Sequence, residues 1–571
     1  MGQTTNFLWD YGTKGQTTWW DIWSAIFQSI DTDLHEKTGG YIDSREYATL
    51  ELADAAAYGA GKMLVISQNH TLTANTVLTA SVMRIPGGSF TKASTYTLHF
   101  SGKFINSDNG QAFIGFDPGD VTFGSGSISS VHPEWWSTNT TPGTTEMYTA
   151  LQCALTATGG KFPLLLSNTY LSSTVLTYNT TVTGKLNVEG TGTNAVIKIG
   201  GTTTKGLMIM GAQGGGHDWV YLRDFRMESA TSGSSAALLH LYGVAGFGIH
   251  RVNIDGKIKS DIGILLNGSG TAGTQQGEIS NCSIFSNLQG IVAENGGANG
   301  TEIHGCTFAG NSVRDVYYNT NITGASTFWF HNNHLVYDNV AAVGIEIGPN
   351  ASTKPRFIRN HFEGPYASMF KIMGGRVELG FNDFLGSGGN TAIDVQAGQG
   401  HDIIGNLVIN SDVIITGGTE INYLFNTIVG GDESTTCTTQ NSFGNRHFGS
   451  STIMPDNYLK SDAGTAGDIM TLLANPLVGG AWGIKVGGAG SSQDVYLQLG
   501  TAKLKGTSGA ETFLRTSGDF YPDTDNSYYL GKNDDDTPLA WKGVILKDTT
   551  NGTYYRIEII NGVITATSLT D

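Results

Sequence analysis

Residues 357–362, 379–384, 403–408 and 423–428 read Phe-Ile-Arg-Asn-His-Phe, Leu-Gly-Phe-Asn-Asp-Phe, Ile-Ile-Gly-Asn-Leu-Val and Tyr-Leu-Phe-Asn-Thr-Ile. Each stretch carries two large apolar residues five positions apart, with an Asn at the same offset. The pair recurs at Val220–Phe225, Ile249–Ile254, Ile279–Ile284, Ile303–Phe308, Phe330–Leu335, Phe357–Phe362, Leu379–Phe384, Ile403–Val408 and Tyr423–Ile428. Successive copies start 29, 30, 24, 27, 27, 22, 24 and 20 residues apart, a period that predicts a solenoid.

The odd spacing within the pair predicts a bend in the chain. Side chains alternate between the two faces of a strand, so residues five apart cannot both point inward unless the chain turns between them. Asn tolerates left-handed backbone and forms hydrogen bonds within turns, and at this offset the chain has Asn333, Asn360, Asn382, Asn406 and Asn426. We expect these Asn to stack and to bond one another. Cys282 and Cys306 share the offset and are interpreted as small buried packing residues.

A second short strand follows each pair. These segments have apolar residues on both sides of a variable one and lie at 264–266, 291–293, 316–318, 345–347, 370–372, 393–395 and 413–415. The pattern predicts an inward, outward, inward order of side chains. Together the two strand types predict an all-β parallel β-helix. Residues 71–100 and 164–199 read as less regular coils of the same kind.

Composition agrees with short strands and many turns. Gly occurs 79 times, whereas charged residues make up 14 % of the chain, which disfavours a helical protein. The formal net charge is −17; with no cluster of Lys or Arg, we expect no nucleic-acid partner. The four Cys are scattered without metal-site spacing, and we predict neither a metal nor another cofactor. No apolar stretch is long enough to span a membrane, and the start of the chain carries no recognisable secretory signal.

Several segments resemble a known family. Phe123-Gly-Ser-Gly-Ser-Ile-Ser-Ser-Val-His-Pro-Glu-Trp-Trp136, followed by a short helix and the pair Gly159-Gly160, resembles the opening of pectate-lyase-like β-helix domains in bacteriophage tailspikes and tail fibres. The resemblance implies a right-handed parallel β-helix, a homotrimer, a place on the phage tail in the virion, and a bacterial surface polysaccharide as partner. The family usually has an Asp-rich stretch after the Trp pair, whereas residues 137–145 read Ser-Thr-Asn-Thr-Thr-Pro-Gly-Thr-Thr. The match is therefore one of architecture rather than of a known active site.

Both ends of the chain add to this resemblance. Residues 3–34 resemble the particle-attachment segment of tail fibres, and Trp20, Trp23, Phe27, Ile30 and Leu34 have the three- and four-residue spacing of a coiled-coil seam or an amphipathic helix. Residues 525–546 resemble a segment common near tail-fibre C-termini, and Asn561-Gly562 predicts a β-hairpin over 553–567. We predict a helical attachment segment at 1–40, leading β-helix coils or an N-terminal β domain at 41–130, the main pectate-lyase-like β-helix at 131–450 and a β-rich trimerisation or receptor domain at 451–571.

Candidate catalytic residues come from the position just before each first apolar residue, which should face outward. In chain order this position holds Trp219, Gly248, Glu278, Glu302, Trp329, Arg356, Glu378, Asp402 and Asn422. Cleavage of a glycosidic bond usually needs two carboxylates, and like charges on adjacent rungs raise one pKa, which supplies a protonated acid. Glu278, Glu302, Glu378 and Asp402 are the catalytic candidates, with Trp329 and Arg356 as sugar contacts. The alternative is an ordinary solvated polar face.

A second outward position, one before the last apolar residue, holds Asp224, Asn253, Ser283, Thr307, His334, His361, Asp383, Leu407 and Thr427. His334, His361 and Asp383 fall on successive rungs and could bind sugar or serve a lyase, or they form a structural polar stack. Tyr317, Tyr337, Tyr366 and Trp219 are further candidate sugar platforms. A site in a cleft between subunits is a further alternative.

The preferred hypothesis is a depolymerase of capsule, O-antigen or exopolysaccharide, with hydrolysis slightly favoured over β-elimination. The alternatives are a non-catalytic receptor-binding fibre and a secreted bacterial polysaccharide lyase.

Overall fold

A computed structural model of the chain describes residues 40–448 except 201–204, 212–217, 231–235, 269–272, 321–327, 338–341, 352–353 and 436–439. It also describes residues 27, 29 and 30, which are helical, and short strands between 458 and 569. The chain forms two compact units, residues 1–439 with 445–453, and residues 440–444 with 454–571. Of the predicted N-terminal seam, Trp20, Trp23 and Leu34 lie outside the described residues.

The first unit begins with coils of short parallel strands around an aromatic core. The strands form three sheets: Ile42–Asp43, Leu64–Ile66, Val82–Arg84 and Phe104–Asn106; Asn69–Leu72, Ser89–Lys92 and Phe113–Ile114; and Thr76–Leu78, Leu98–Phe100 and Val121–Phe123. Their inward side chains place Phe100 between Phe104 and Phe123, at ring distances of 4.5 and 5.3 Å. The coils expected before residue 130 are therefore parallel, as predicted.

Among the described residues from 40 onward, three short helical turns and two longer helices accompany the coils. The helices are Ser44–Glu46 and Pro133–Trp135, both 3-10, and the α-helices Leu50–Gly59, Tyr148–Ala157 and Thr180–Thr183. Thr49 caps Leu50–Gly59 by accepting a hydrogen bond from the Leu52 amide at 3.3 Å. The helix Tyr148–Ala157 lies where the sequence predicts one, and it buries Leu151, Cys153 and Leu155.

From residue 164 the strands stack into a parallel sheet and two further parallel ladders. Sheet A comprises Leu164–Leu166, Leu186–Gly190, Val220–Arg223, Ala245–His250, Gln275–Ser280, Thr301–His304, Phe328–His331, Arg356–Ile358, Glu378–Gly380, Asp402–Ile404 and Ile421–Leu424. Each strand pairs with the next one in this order, one coil later. Because the chain returns to the same sheet once per coil, it makes the stacked arrangement of a solenoid.

Ladder B contains Thr169–Ser172, Val196–Ile199, Arg226–Ser229, the starts of Asn253–Asn267 and Ser283–Glu294, Thr307–Ala309, His334–Val336, His361–Glu363, the starts of Asp383–Val395 and Leu407–Ile415, Thr427–Val429 and Arg446–Phe448. Ladder C contains Leu176–Asn179, Lys205–Met210, Ala237–Tyr242, the ends of the same four long strands, Arg314–Asn319, Val343–Ile347, Ser368–Ile372 and Glu433–Thr435. The four long strands run through both ladders and join them into one continuous sheet. The prediction of a mostly β chain with parallel sheets is confirmed, in the manner of a β-helix.

The predicted apolar pairs line the inside of the coils. Ile303, Phe330, Phe357 and Leu379 follow one another in sheet A, and each is fully buried. Phe362 and Phe384, from ladder B, stack with ring centres 4.6 Å apart. The predicted second strands align in ladder C with their flanking residues inward, as in the register of Ile345, Phe370 and Ile393.

The corner between sheet A and ladder B carries the asparagine column, which we define as Asn333, Asn360, Asn382, Asn406, Asn426 and Asn445. The Nδ2 of Asn333 donates to the Oδ1 of Asn360 at 3.1 Å, and the same contact repeats up to Asn445 at 2.9–3.1 Å. Cys306 and Cys282 occupy the preceding rungs and are buried. The predicted stacking is confirmed.

The left-handed residue of this corner is not the Asn, contrary to the prediction. It is the residue before it: Arg359, Phe381 and Phe425 have φ of 57°, 56° and 56°. The bend is therefore made by the preceding residue, and this leaves the Asn side chain free to point inward and bond its neighbours.

The same register corrects the first predicted pair. Ile249 lies beside Leu222 in sheet A, and Ile254 lies beside Met227 in ladder B. The first pair is therefore Leu222–Met227 rather than Val220–Phe225. Since this shifts the outward positions by two residues, Tyr221 replaces Trp219 and Arg226 replaces Asp224 in their respective columns.

In the second unit the described strands pair antiparallel. They are Tyr458–Lys460, Ile469–Leu473 and Gly483–Val486; Val495–Leu499, Ala502–Gly506 and Arg515–Thr516; and Tyr528–Tyr529, Val544–Lys547, Tyr554–Ile560 and Val563–Leu569. One more strand of this unit, Gln440–Phe443, belongs to none of these three antiparallel sheets. Ile560 lies opposite Val563, so these two strands form the predicted hairpin with a two-residue connection.

Candidate functional site

One straight file of side chains points outward from sheet A. In rung order this sheet A file reads Tyr221, Gly248, Glu278, Glu302, Trp329, Arg356, Glu378, Asp402 and Asn422, each in register with the next. Hydrogen-bonded strands lie about 4.8 Å apart. The predicted residues from Glu278 to Asp402 are thus brought together in the predicted order.

A second outward file, two residues further along each strand, flanks the first two acids with imidazoles. This histidine file reads His250, Ser280, His304 and His331. The Nε2 of His304 lies 3.0 Å from Glu278 Oε1, and the Nε2 of His331 lies 2.6 Å from Glu302 Oε1. The rings of His304 and His331 are stacked, with centroids 5.2 Å apart. Each acid is therefore paired with the imidazole of the following rung.

Sequence reasoning missed the histidine file. We considered only the outward position directly before the first apolar residue of each pair. Because side chains alternate along a strand, the position directly after that apolar residue faces outward as well. Applying the same rung alignment one position past Ile249, Ile303 and Phe330 identifies all three His. The signal was present in the sequence.

The surroundings of the Glu278 carboxyl favour its ionised form. Burial raises the pKa of this carboxyl, but hydrogen bonds from Ser280 and His304, with the nearby imidazole of His250, lower it more. The pKa of Glu278 therefore lies below its ordinary value. The Ser280 hydroxyl and the imidazoles of His304 and His250 together outweigh burial, so the carboxyl of Glu278 is held in its ionised form.

Trp329 and Arg356 form the middle of the sheet A file. The guanidinium of Arg356 lies 5.6 Å from the centre of the Trp329 ring, and its Nε is 3.0 Å from Glu378 Oε2. Trp329 is 43 % exposed, which is high for a Trp. An exposed indole beside a guanidinium provides both an apolar surface for sugar C–H groups and donors for hydroxyls or carboxylates.

The second predicted acid pair is neutralised by basic and amide groups. Lys354 forms an ion pair with Asp402 and lies 3.7 Å from Glu378, and Asn422 donates to Asp402 at 2.6 Å. Partial burial raises the pKa of Asp402, but the Asn422 amide and the Lys354 ammonium lower it more, so this pKa too is below its ordinary value. The carboxyl of Asp402 is therefore held in its ionised form.

An open cavity of about 410 Å³ lies at the start of the sheet A file. Its lining includes Lys161, Lys185, Trp219 and Tyr221. The Trp219 and Tyr221 rings are nearly parallel, at 16° with centroids 6.5 Å apart, and the Lys185 ammonium lies 5.7 Å from the centre of the indole ring. Although Trp219 is not in the file, it still belongs to this face. The next rung has Gly248, where an added Cβ would lie 2.5 Å from the His250 imidazole and 3.2 Å from the Tyr221 ring, so these two rings pack over the glycine.

On ladder B, His334, His361 and Asp383 occupy successive rungs as predicted. The side chains of all three are between 38 and 53 % exposed. They lie on the other side of the asparagine column from the sheet A file, since each coil passes through that corner between the two. They form a separate cluster.

Two predicted sugar platforms are wrong because they are buried. Tyr366 is fully buried and donates a hydrogen bond to Asp315 at 2.7 Å. Tyr337 is also buried and stacks on Tyr366, with centroids 5.4 Å apart. Tyr317 faces outward on ladder C, but the Arg314 guanidinium lies 4.0 Å from its ring centre and covers one face. Tyr337 and Tyr366 therefore offer no free aromatic face for sugar stacking, and in Tyr317 Arg314 covers one of the two faces.

Two exposed phenylalanines were missed. Phe381 and Phe425 are 62 % and 55 % exposed and hold the left-handed corner position, where a bulky side chain is unusual. Gly405 lies between them, and a Cβ at this glycine would be 2.8 Å from the Phe381 ring. These rings border the sheet A file, and their unfavourable backbone makes them candidate ligand contacts. In the sequence they resemble core residues.

Among the described residues there is no helix both long enough and apolar enough to cross a membrane.

Comparison with known proteins gives distant likenesses. No protein-family model matches the chain, and no curated protein does. Among solved structures the chain is similar to the catalytic unit of the GH87 α-1,3-glucanase from Streptomyces thermodiastaticus, at 12 % identity and a TM-score of 0.34 over 56 % of this chain and 68 % of that one. It is similar to the gp42 tailspike of Acinetobacter phage vb_AbaP_AS12 (11 % identity, TM-score 0.30, 78 % and 82 % covered).

A third similar structure is the receptor-binding protein of bacteriophage Det7, a tailspike, at 10 % identity and a TM-score of 0.24 over 96 % of this chain and all of that one. Phage tailspikes are thus among the solved structures that the chain is similar to. At these identities and TM-scores the likenesses assign no family and no activity.

Proposed function

We propose that this protein is a phage tailspike that binds a bacterial surface polysaccharide along sheet A and cleaves its glycosidic bonds. The observation that carries the proposal is the sheet A file, in which two acids, an exposed indole and a guanidinium follow one another in register. A rigid file of this kind suits a long repetitive ligand, because several sugar units can be held without reorganising the protein.

Hydrolysis is the preferred chemistry. Glu278, which is held ionised, serves as base or nucleophile, and Glu302 on the next rung serves as the proton donor to the leaving oxygen. The neutralised pair Glu378 and Asp402 binds substrate hydroxyls instead of acting as acid and base. Trp329 and the cavity at Tyr221 hold sugar units on either side of the two acids.

β-Elimination is the second candidate, and the histidine file favours it. An imidazole oriented by a carboxylate, as His304 is by Glu278, is a suitable base for the proton next to a uronate carboxylate. Arg356 would then neutralise that carboxylate. This reaction requires an acidic polysaccharide, whereas hydrolysis does not.

The remaining parts of the proposal come from the sequence resemblance. We infer a right-handed helix, a homotrimer, attachment to the phage tail through residues 1–40, and a trimerisation or receptor domain at 451–571. Handedness is supported by the strong preference of parallel crossover connections for the right-handed form. In this arrangement the protein acts outside the bacterium, as part of the virion.

Cleavage is tested with a panel of capsular, O-antigen and exopolysaccharides, by following reducing ends and the absorbance of unsaturated uronates. We expect new reducing ends without unsaturated ends. Glu278→Gln and Glu302→Gln should each lower kcat at least a hundredfold and leave the Kd for the polysaccharide within a few-fold. Glu294→Gln, a Glu on ladder C, is the matched control and should retain full activity.

Binding is tested separately. Trp329→Ala should weaken the Kd at least tenfold, because the indole supplies a desolvated apolar surface. Detection of unsaturated uronate ends would show that the reaction is β-elimination rather than hydrolysis. If the polysaccharide that binds most tightly gained no new ends, the protein would be a non-catalytic receptor-binding fibre. An unchanged Kd in Trp329→Ala would refute the sheet A file as the binding surface.

A further inference from the structure

The cluster on ladder B places two imidazoles and a carboxylate around one point. His334 and His361 are neighbours in register, and Glu363 lies two residues after His361 on the same strand, so its side chain faces the same way. From the sequence, Glu363 is only a nearby residue in the chain, and the rung spacing of His334, His361 and Asp383 predicts no metal site. Glu363 changes that conclusion, because it reaches back toward both imidazoles.

The donor atoms are close to the distances that a metal ion requires. Glu363 Oε2 lies 3.5 Å from His334 Nε2 and 3.9 Å from His361 Nε2, and the three donor atoms lie within 4.8 Å of one another. In a tetrahedral zinc site with bonds of about 2.0–2.2 Å, the ligand atoms are about 3.3–3.6 Å apart. Small side-chain rotations would therefore bring all three to bonding distance of one ion.

Two further observations distinguish this cluster from an ordinary polar surface. Within the described part of the chain, the Nε2 of His334 is shielded from solvent and makes no hydrogen bond, although a buried polar atom normally has a partner. The carboxylate of Asp383 lies 3.8 Å from Nδ1 of His361, on the opposite side of the ring from Glu363. Metal-bound imidazoles usually have a carboxylate at the other ring nitrogen, which fixes the ring and its tautomer.

The imidazoles of the histidine file provide a useful contrast. The rings of His304 and His331 are stacked, whereas those of His334 and His361 are tilted by 50° with centroids 5.0 Å apart. In the histidine file each Nε2 already contacts a carboxylate of its own, Glu278 and Glu302. Among the described residues, only the ladder B cluster has three such donors converging on one point.

We propose that His334, His361 and Glu363 bind a divalent transition-metal ion of the zinc class, with Asp383 as the positioning residue for His361. Two imidazoles select zinc, cobalt or nickel over magnesium and calcium, which prefer oxygen ligands. The site is partly exposed, so at least one coordination position faces solvent. The ion would link two consecutive rungs of ladder B, and this proposal is independent of the polysaccharide activity proposed for sheet A.

The test uses the full-length chain without a polyhistidine tag. Co²⁺ is titrated while its visible absorption is recorded, and Zn²⁺ binding is measured by calorimetry. We expect one ion per chain and a Co²⁺ spectrum typical of four or five ligands. His334→Ala, His361→Ala and Glu363→Gln should each weaken Zn²⁺ binding at least tenfold, and Asp383→Asn about tenfold.

The matched control is His99→Ala, which removes a partly exposed imidazole that lies on the leading coils beside Thr122. It should bind Zn²⁺ as the unmodified chain does. Zn²⁺ should also raise the unfolding temperature of the unmodified chain and of His99→Ala, but not that of His361→Ala, because an ion that binds the folded state stabilises it. Absence of Zn²⁺ binding, or binding that is unchanged in the three ligand variants, would overturn the proposal.

Discussion

Replacing Asn382 by Ala removes one rung from the middle of the asparagine column. The Oδ1 of Asn382 accepts hydrogen bonds from the backbone amide and the Nδ2 of Asn360 at 2.9 and 3.0 Å. Its Nδ2 donates to the Phe357 carbonyl and to Asn406 Oδ1, both at 2.9 Å. All of these partners are buried, and no solvent reaches the corner to replace the lost contacts.

The cost of this change follows from the groups left without a partner. The Asn360 amide and the Phe357 carbonyl lose the bonds described above, and the Asn360 side chain loses one of its two acceptors. A buried polar group without a partner costs about 1–3 kcal/mol, so we expect Asn382→Ala to lower the free energy of unfolding by about 3–6 kcal/mol.

Cys306→Ala is the matched control, because Cys306 occupies the same column and is equally buried. This change removes one sulfur atom and should cost only about 1–2 kcal/mol. Both variants are compared by urea unfolding followed by circular dichroism, or by unfolding rate if refolding is incomplete. Hydrogen exchange should locate the loss of protection in the rungs of Asn360 and Asn406. If Asn382→Ala cost no more than Cys306→Ala, the column would not stabilise the coils as described.

Three further predictions concern stability. Burial raises the pKa of Asp315 to about 7, against hydrogen bonds from Asn311 and Tyr366; since the folded state holds this proton more tightly, its contribution is full below about pH 4 and is lost as pH rises to 7, a change of about 4 kcal/mol. Asp315→Asn should flatten that dependence in unfolding measured from pH 4 to 8, and an equally steep profile would contradict the assignment. Tyr366→Phe should cost about 1–2 kcal/mol at pH 5, whereas no loss would show that its hydroxyl is dispensable. Gly405→Ala should cost about 1–2 kcal/mol because φ is 67° and the Phe381 ring is 2.8 Å from the added Cβ; Gly380→Ala, with its nearest neighbour at 3.6 Å, should not, and equal melting temperatures would contradict this account.

Sequence reasoning predicted the parts of the fold that repeat on every rung. The five-residue spacing and the Asn offset are visible in one dimension, and they place Glu278, Glu302, Trp329 and Arg356 in register. The first copy was misaligned because Val220 and Phe225 are both apolar and buried, so composition did not distinguish them from Leu222 and Met227. Only the hydrogen-bonded register does so.

The features that the sequence did not predict depend on the orientation of side chains in three dimensions. Tyr366 was predicted to face a ligand because Tyr is common on sugar surfaces, yet its hydroxyl turns inward to Asp315. Glu363 was recognised only as a neighbour in sequence, and its approach to His334 needs the three-dimensional path of both side chains. The pKa of Glu278 likewise depends on the His304 imidazole one coil away, whereas the sequence prediction considered only the neighbouring acid.

The spacing of the asparagine column also bears on how such a surface can change. Consecutive Asn are 27, 22, 24, 20 and 19 residues apart, yet their side chains remain bonded without a break. The differences in length are therefore absorbed by the connections between strands. Insertions there can reshape the outline around a ligand groove while every strand keeps its place, so that new specificities can arise on an unchanged framework.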